Sequence, residues 1–339
     1  MSVGQMGAQG SSGSGKRRQH FLLSAAARGL SLAQIARLSD DEAYKLLRGV
    51  RWTETEGQPT CPKCGCLAIY EHKSRRIFSC KECLAQFSVT SGTIFHSRKL
   101  GVRDILLAIA IFTNGAKGHA ALHLGRDLNI SYKTAFVLAH KIREALGAEI
   151  DERKAGGVVE IDGAYIGGHI RQANWAENRV DRRLAINQTG KRQVVIAMRE
   201  RGGRTMTFIV RHEADAVDVL QDRILSGSTV HADEARSWDA LNYAGVQMKR
   251  INHQECFSDG DACTNQVESF FSRMRRAEKG IHHHIAGSYA QDYANEMAWR
   301  EDSRRISTAN QFLIMAATAA THPPSMRWKG YWQRHLHIA

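Results

Sequence analysis

Between residues 158 and 276, short apolar runs alternate with amphipathic ones, and the period of the pattern changes with each. The segments VVEID (158–162), QVVIAM (193–198), TMTFIVR (205–211), STVHAD (228–233) and QMKRIN (247–252) predict strands. ADAVDVLQDRI (214–224) and EARSWDALNYA (234–244) predict helices between the later strands. TNQVESFFSRMRR (264–276) predicts a further helix, because Val267, Phe270, Phe271 and Met274 recur at i, i+3, i+4 and i+7. Three strands followed by alternating helices and strands predict a mixed α/β layer structure.

The chain upstream has a helical period. Phe21 to Trp52 is expected to be helical, with Ser39 and Glu42 at capping-box spacing ahead of Ala43, Leu46 and Leu47. A second helical stretch runs from Val102 to Leu146 and divides at Asn129-Ile130, where Ser131 can cap a helix with Tyr132, Ala135, Phe136, Ala139 and Ile142 as its apolar stripe. A basic second helix after a tight turn fits a DNA-binding helix-turn-helix, with Lys133, Thr134, His140 and Arg143 on its other face and Lys133, Thr134 and Arg143 as DNA contacts; an ordinary helical hairpin has the same period. Met1 to Arg18 is low-complexity and expected to be disordered, while the basic, aromatic tail from His322 fits no element. The longest apolar run, Ile105 to Phe112, is far short of the ~20 residues of a bilayer span.

Composition narrows the partners. Lys and Arg number 47 against 34 Asp and Glu, a formal charge of +13, and the pI is near 9.6. Such a balance in a chain that is 43% hydrophobic points to a folded protein with a polyanionic partner, most simply nucleic acid. The segment from Arg171 to Arg204 holds nine of the basic residues against three acids. Within it Arg182, Arg183, Lys191 and Arg192 are candidates for a DNA-backbone track, and a solvated charged face is the plain alternative.

Four of the seven cysteines form two CxxC pairs, Cys61/Cys64 and Cys80/Cys83, with 15 residues between them. No apolar N-terminal signal precedes them, so metal is favoured over disulfides, and secreted, membrane and disulfide-scaffold classes are excluded. Two such knuckles predict one structural zinc ion that folds a module too small for its own core. Cys66 is expected to stand outside the sphere.

Three carboxylates stand out by position. Asp162 ends the first predicted strand and Asp233 the fourth, two strands that are usually neighbours in this order; Glu268 lies on the following helix, with 34 residues between it and Asp233. Placed together, these groups repel one another unless a divalent cation lies between them. An all-oxygen donor set suits magnesium or manganese, and two such ions serve phosphodiester chemistry. At about 100° per residue, the apolar stripe of the helix centres about 110° from Glu268, which borders it. Asn265 is turned about 60° the other way, and Arg275 shares the face of Glu268. Asp181, Asp259 and Asp261 fall in predicted loops.

With these residues in hand, the chain resembles the bacterial insertion-sequence transposases of the ISXO-like group, which join an N-terminal zinc ribbon to a DDE catalytic domain. The resemblance is carried by CPKCG (61–65), SYKTAFVLAHKIR (131–143), EIDGAYIGG (160–168), HADEARSW (231–238), TNQVESFFSRMRR (264–276) and YANEMAWRED (293–302). It implies an RNase H-like domain with a five-stranded mixed sheet, catalytic Asp162, Asp233 and Glu268, and Arg275 in a supporting role. Some members use Asn as the third ligand, which keeps Asn265 a candidate, and many carry an acid where this chain has Gly163. The expected plan is a tail (1–19), a helical segment (20–58), the ribbon (59–98), a helix-turn-helix region (99–150), the catalytic domain (151–312) and a basic tail (313–339).

The resemblance further implies binding to double-stranded DNA at the element's terminal repeats, hydrolysis that exposes a 3′-hydroxyl, and joining of that end to target DNA. The protein would work as a homo-oligomer on DNA, in the cytoplasm at the nucleoid, without a membrane partner. Two rivals remain: a zinc-ribbon DNA-binding regulator without catalysis, and an RNase H-like nuclease without strand transfer.

Overall fold

Residues 20–148, 154–168, 170–181, 184–187, 189–233, 238–239, 241, 245–251 and 263–334 are described by a computed structural model of the chain. The low-complexity N-terminus lies outside them. Phe21 to Trp52 is not one helix: two short 3-10 turns lead to α1 (Leu32–Ala36) and α2 (Asp40–Arg51). The expected capping box is present at α2, where the Ser39 hydroxyl accepts from the Glu42 amide and the Glu42 carboxylate accepts from Ser39 N (2.7 Å). Ala43, Tyr44, Leu47 and Val50 bury the inner face of the helix.

The cysteine module holds three antiparallel strands in order, β1 (Ile69–His72), β2 (Ile77–Cys80) and β3 (Gln86–Ser88). The stretch from Val102 to Leu146 divides into three helices, α3 (Val102–Asn114), α4 (Ala121–Asp127) and α5 (Tyr132–Ala148). Asn129, with φ at +51°, turns the chain between the last two; Asn tolerates this left-handed conformation better than most residues.

The second half is a five-stranded sheet in the order β6-β5-β4-β7-β8. Its strands are β4 (Val158–Gly167), β5 (Arg192–Glu200), β6 (Thr205–Val210), β7 (Thr229–Asp233) and β8 (Gln247–Ile251), with α6 (Val217–Arg223) between β6 and β7. β5 is antiparallel to both β4 and β6, whereas β4, β7 and β8 are parallel. β4 outruns its expected end at residue 162: GAYIG continues as strand because it pairs with β5 through Gly167↔Arg192. Most of the predicted helix at 234–244 lies outside the described residues.

Alternation along β4 sends Val159 and Ile161 to a core with Leu220 and Trp238, and Ala164 and Ile166 to an opposite core with Val267, Phe270 and Phe271. The latter core is roofed by α7 (Asn265–Ala277) and α8 (Ala290–Ser303). The chain then returns to its N-terminal half as α9 (Thr308–Thr321), which runs through the expected boundary at 312/313. Phe312, Met315, Ala316 and Ala319 join one core with residues of α2, the ribbon, α3 and α5. The short helix α10 (Tyr331–Arg334) follows, so part of the tail that fitted no element is ordered against α5, where Trp332 Nε1 donates to Lys133 O (3.4 Å).

Candidate active site and zinc centre

β4 and β7 are adjacent and in register, Glu160 opposite His231. The same offset sets Asp162 beside Asp233, so the two acids occupy neighbouring strands on the face covered by α7. Asp162 therefore lies within its strand and not at its end, while Asp233 is the last residue of β7. Glu268 is half-buried on α7 and accepts from the Thr264 hydroxyl (3.0 Å); Asn265, the first residue of the helix, is exposed. Burial of Val267, Phe270, Phe271 and Met274 fixes the rotation of the helix, at ~1.5–3 kcal/mol per side chain.

Each acid is held by a neighbour. The buried Trp238 donates its Nε1–H to Asp233 Oδ1 (2.9 Å), and the Gly163 amide donates to Asp162 Oδ1 (2.7 Å). The Asp162 carboxyl is pushed up to about 7, mainly by burial, with the charges of Asp233, Glu268 and Glu213 adding to it against the Gly163 hydrogen bond. The oxygens of the three acids do not all come within 4.8 Å of one another, the closeness that the four cysteine sulfurs do reach. This is an open all-oxygen donor set, whose chemistry fits magnesium or manganese more than zinc.

Two acids that the sequence reading passed over shape this site. Glu160 is fully buried, accepts from Arg201 Nε (2.9 Å), and takes the Gln266 and Val267 amides on its other oxygen (2.8 and 3.2 Å). It thereby caps α7 from the sheet and fixes where Glu268 projects. His231 Nδ1 completes the junction by accepting from Arg201 Nη2 and Cys263 N, both at 3.1 Å. The signal was available: Glu160 shares a strand face with Asp162 in an otherwise apolar run. Glu213 gave no such signal. It comes from a turn after β6, and a Cβ at Gly163 would lie only 3.0 Å from Glu213 Oε1.

Arg275 is exposed, its guanidinium 6.0 Å from the Phe271 ring centre. Of the residues expected to meet DNA, Lys133 and Thr134 are exposed in the first turn of α5, and Lys191 is exposed. Arg192 stacks on Tyr165 at 4.0 Å, and Arg182 and Arg183 lie outside the described residues. Arg143 corrects the expectation. It is 1% exposed and donates to Glu296 Oε2 (2.6 Å), because α8 packs over the helix face that the isolated sequence left to solvent.

The cysteines Cys61, Cys64, Cys80 and Cys83 converge, with Cys61···Cys83 and Cys64···Cys80 both at 3.6 Å. Tetrahedral zinc with ~2.3 Å bonds sets sulfurs about 3.8 Å apart, so the cradle fits the ion. The first knuckle turns at Gly65, whose φ of +73° suits glycine. Amide donation, from Cys83 first, holds the Cys80 thiol below its usual value and favours the thiolate that a metal needs. Cys66 stands outside the cluster and accepts from Ala68 N (3.2 Å). Cys80→Ser is expected to lose stoichiometric zinc by atomic absorption. Hydrogen exchange should then show β1–β3 unprotected and β4 and β5 still protected; full zinc occupancy in the variant would contradict the assignment.

Residues 154–302 match the ISXO2-like transposase domain, and residues 38–86 match the transposase zinc-ribbon domain. The chain is thus similar to transposases in both its cysteine module and its sheet domain. Each match covers less than half of the chain, and both are to transposase families, the class that the motifs suggested. The ribbon match begins at residue 38, so it takes in α2, which shares the ribbon's core. A protein of Halobacterium salinarum, described as an uncharacterized protein in transposable element ISH50, is 25% identical over 251 residues, covering 70% of this chain and 83% of its own. Among the described residues no helix is long and apolar enough to cross a membrane.

Proposed function

We propose that the chain cuts DNA at the ends of its element by metal-dependent hydrolysis, exposes a 3′-hydroxyl, and joins that end to target DNA. The observation that carries this reading is the placement of Asp162 and Asp233 on adjacent strands beneath Glu268, inside the region that matches a transposase domain. Asp162, Asp233 and Glu268 would hold two magnesium or manganese ions, which supply activation of the attacking oxygen and stabilisation of the leaving one. The protein's own part is to hold three carboxylates at fixed positions, through Trp238, Thr264 and the Glu160 cap, so that both steps use one site. Arg275, on the helix face of Glu268, steadies a phosphate beside it.

The sheet domain, residues 151–312, is read as RNase H-like. The ribbon (59–98) and the helix-turn-helix of α4 and α5 (within 99–150) recognise the terminal repeats, with Lys133 and Thr134 at base edges. Arg182, Arg183, Lys191 and Arg192 follow the DNA backbone, and homo-oligomers bring two ends together at the nucleoid.

The test is incubation of the full chain with Mg²⁺ and duplexes bearing the element's ends. Nicked strands and joined products are the expected result. Binding without nicking would favour a regulator, and nicking without joined products a nuclease. Log K against log salt should fall with a slope of about −0.9 per phosphate contacted. Neutralising Arg182 and Arg183 should make it shallower on any sequence, whereas changes at Lys133 or Thr134 should act mainly on the repeats.

A further inference from the structure

A cavity of about 600 Å³ lies between residues 94–100, the exposed side of α5 and the C-terminal segment 328–333. The volume is in the ~300–1,000 Å³ range of sites that enclose small ligands, and far below what a duplex occupies. Its charge is of one sign: Arg98, Lys99, Lys133 and Lys141 line it, and no acid does among the described residues. Aromatic rings form part of its apolar wall, from Phe95, Trp328, Tyr331 and Trp332. Ser131 and Thr134 add hydroxyls at the start of α5.

Cations track a phosphate backbone, and flat indole and phenol rings stack on bases that are not already stacked in a duplex.

We propose that this cavity holds a short unpaired stretch of DNA, one or two nucleotides frayed from a strand end, with the base against Trp332 and the phosphates on Arg98 and Lys141. The C-terminal segment then serves as one wall of a nucleic-acid site that is separate from the three carboxylates. The proposal rests on the reading of the chain as a DNA-acting protein, but its test needs no catalysis, so failure to cut DNA would leave it standing.

The experiment measures anisotropy of a labelled eight-nucleotide oligothymidylate with the full chain, without divalent metal. The wild type should bind it, and unlabelled single strand should compete better than a blunt duplex of the same length. Trp332→Ala should weaken binding about tenfold or more, the loss of one stacked base, and Trp332→Phe should restore most of it. The double variant Arg98→Gln with Lys141→Gln, which leaves the aromatic wall intact, should weaken binding and make the salt dependence shallower by about 0.7 per lost phosphate contact. If Trp332→Ala and the double variant both bind within twofold of wild type, or the duplex competes as well as the single strand, the proposal is overturned.

Discussion

Asp162→Asn, Asp233→Asn and Glu268→Gln should each reduce cleavage and joining together, by on the order of a thousandfold or more, because both steps draw on one set of carboxylates. None should weaken DNA binding, since each removes a negative charge close to where phosphate would lie. Glu268→Gln keeps size and polarity, so its loss would report on charge alone. Asn265→Ala is the contrast: the residue is exposed on the first turn of α7 and should be tolerated. If Asn265→Ala is inactive while Glu268→Gln cuts DNA, the third group is Asn265.

Asp162 also carries a pH dependence. The folded Asp162 carboxyl is raised from 3.8 to about 7, chiefly by burial. Its neutral form thus favours the metal-free fold at low pH, and that contribution is lost as pH rises through about 7. Asp162→Asn should therefore raise the melting temperature of the metal-free protein at pH 8 and have little effect at pH 4. Mn²⁺ binding to the wild type should weaken as pH falls through about 7, because the cation must displace the proton. A pH-independent Mn²⁺ affinity between 6 and 8 would contradict a carboxyl raised to about 7.

Glu296→Gln is expected to destabilise the protein by about 3–5 kcal/mol, a large share of the ~5–15 kcal/mol typical of a domain. Glu296 on α8 is 1% exposed and accepts from Arg143 Nε (2.6 Å) and Arg300 Nε (2.9 Å), and Arg300 also donates to Phe112 O (2.6 Å). Removing its charge leaves two guanidinium groups in the interior between α3, α5 and α8 without the carboxylate they share. Burial alone would push the Glu296 carboxyl up, but Arg143 and Arg300 hold it at about 2. Its stabilising contribution is therefore present above about 4.5 and lost as pH falls through about 2. Urea unfolding at pH 7 measures the effect. Asp41→Asn is the control, since its pair with Arg76 is on the surface and should change stability by less than about 1 kcal/mol.

This buried network marks where reading along the chain stops. The periods of 158–211 and 264–276 locate strands and a helix because each must hide one face, and a face is a local property of sequence. The zinc ligands are legible for the same kind of reason: short CxxC loops bring two sulfurs to one point whatever surrounds them. The burial of Arg143 is not legible in the sequence because the residue it donates to, Glu296, is 153 positions away on a helix whose own pattern does not announce a partner.

By itself, then, the sequence located the strands of the sheet, the metal knuckles, the charge excess, and the positions of three acids with the helix face of the last. Those features follow from spacing and composition over a few turns or strands. Only the tertiary structure decided that β4 continues past Asp162, that Glu160 caps α7 from the sheet, that Glu213 fills the space over Gly163, and that the C-terminal segment closes a basic, aromatic cavity on α5. Each of these joins residues far apart in the chain. Their energies come from burial and pairing between elements, which local periodicity does not encode.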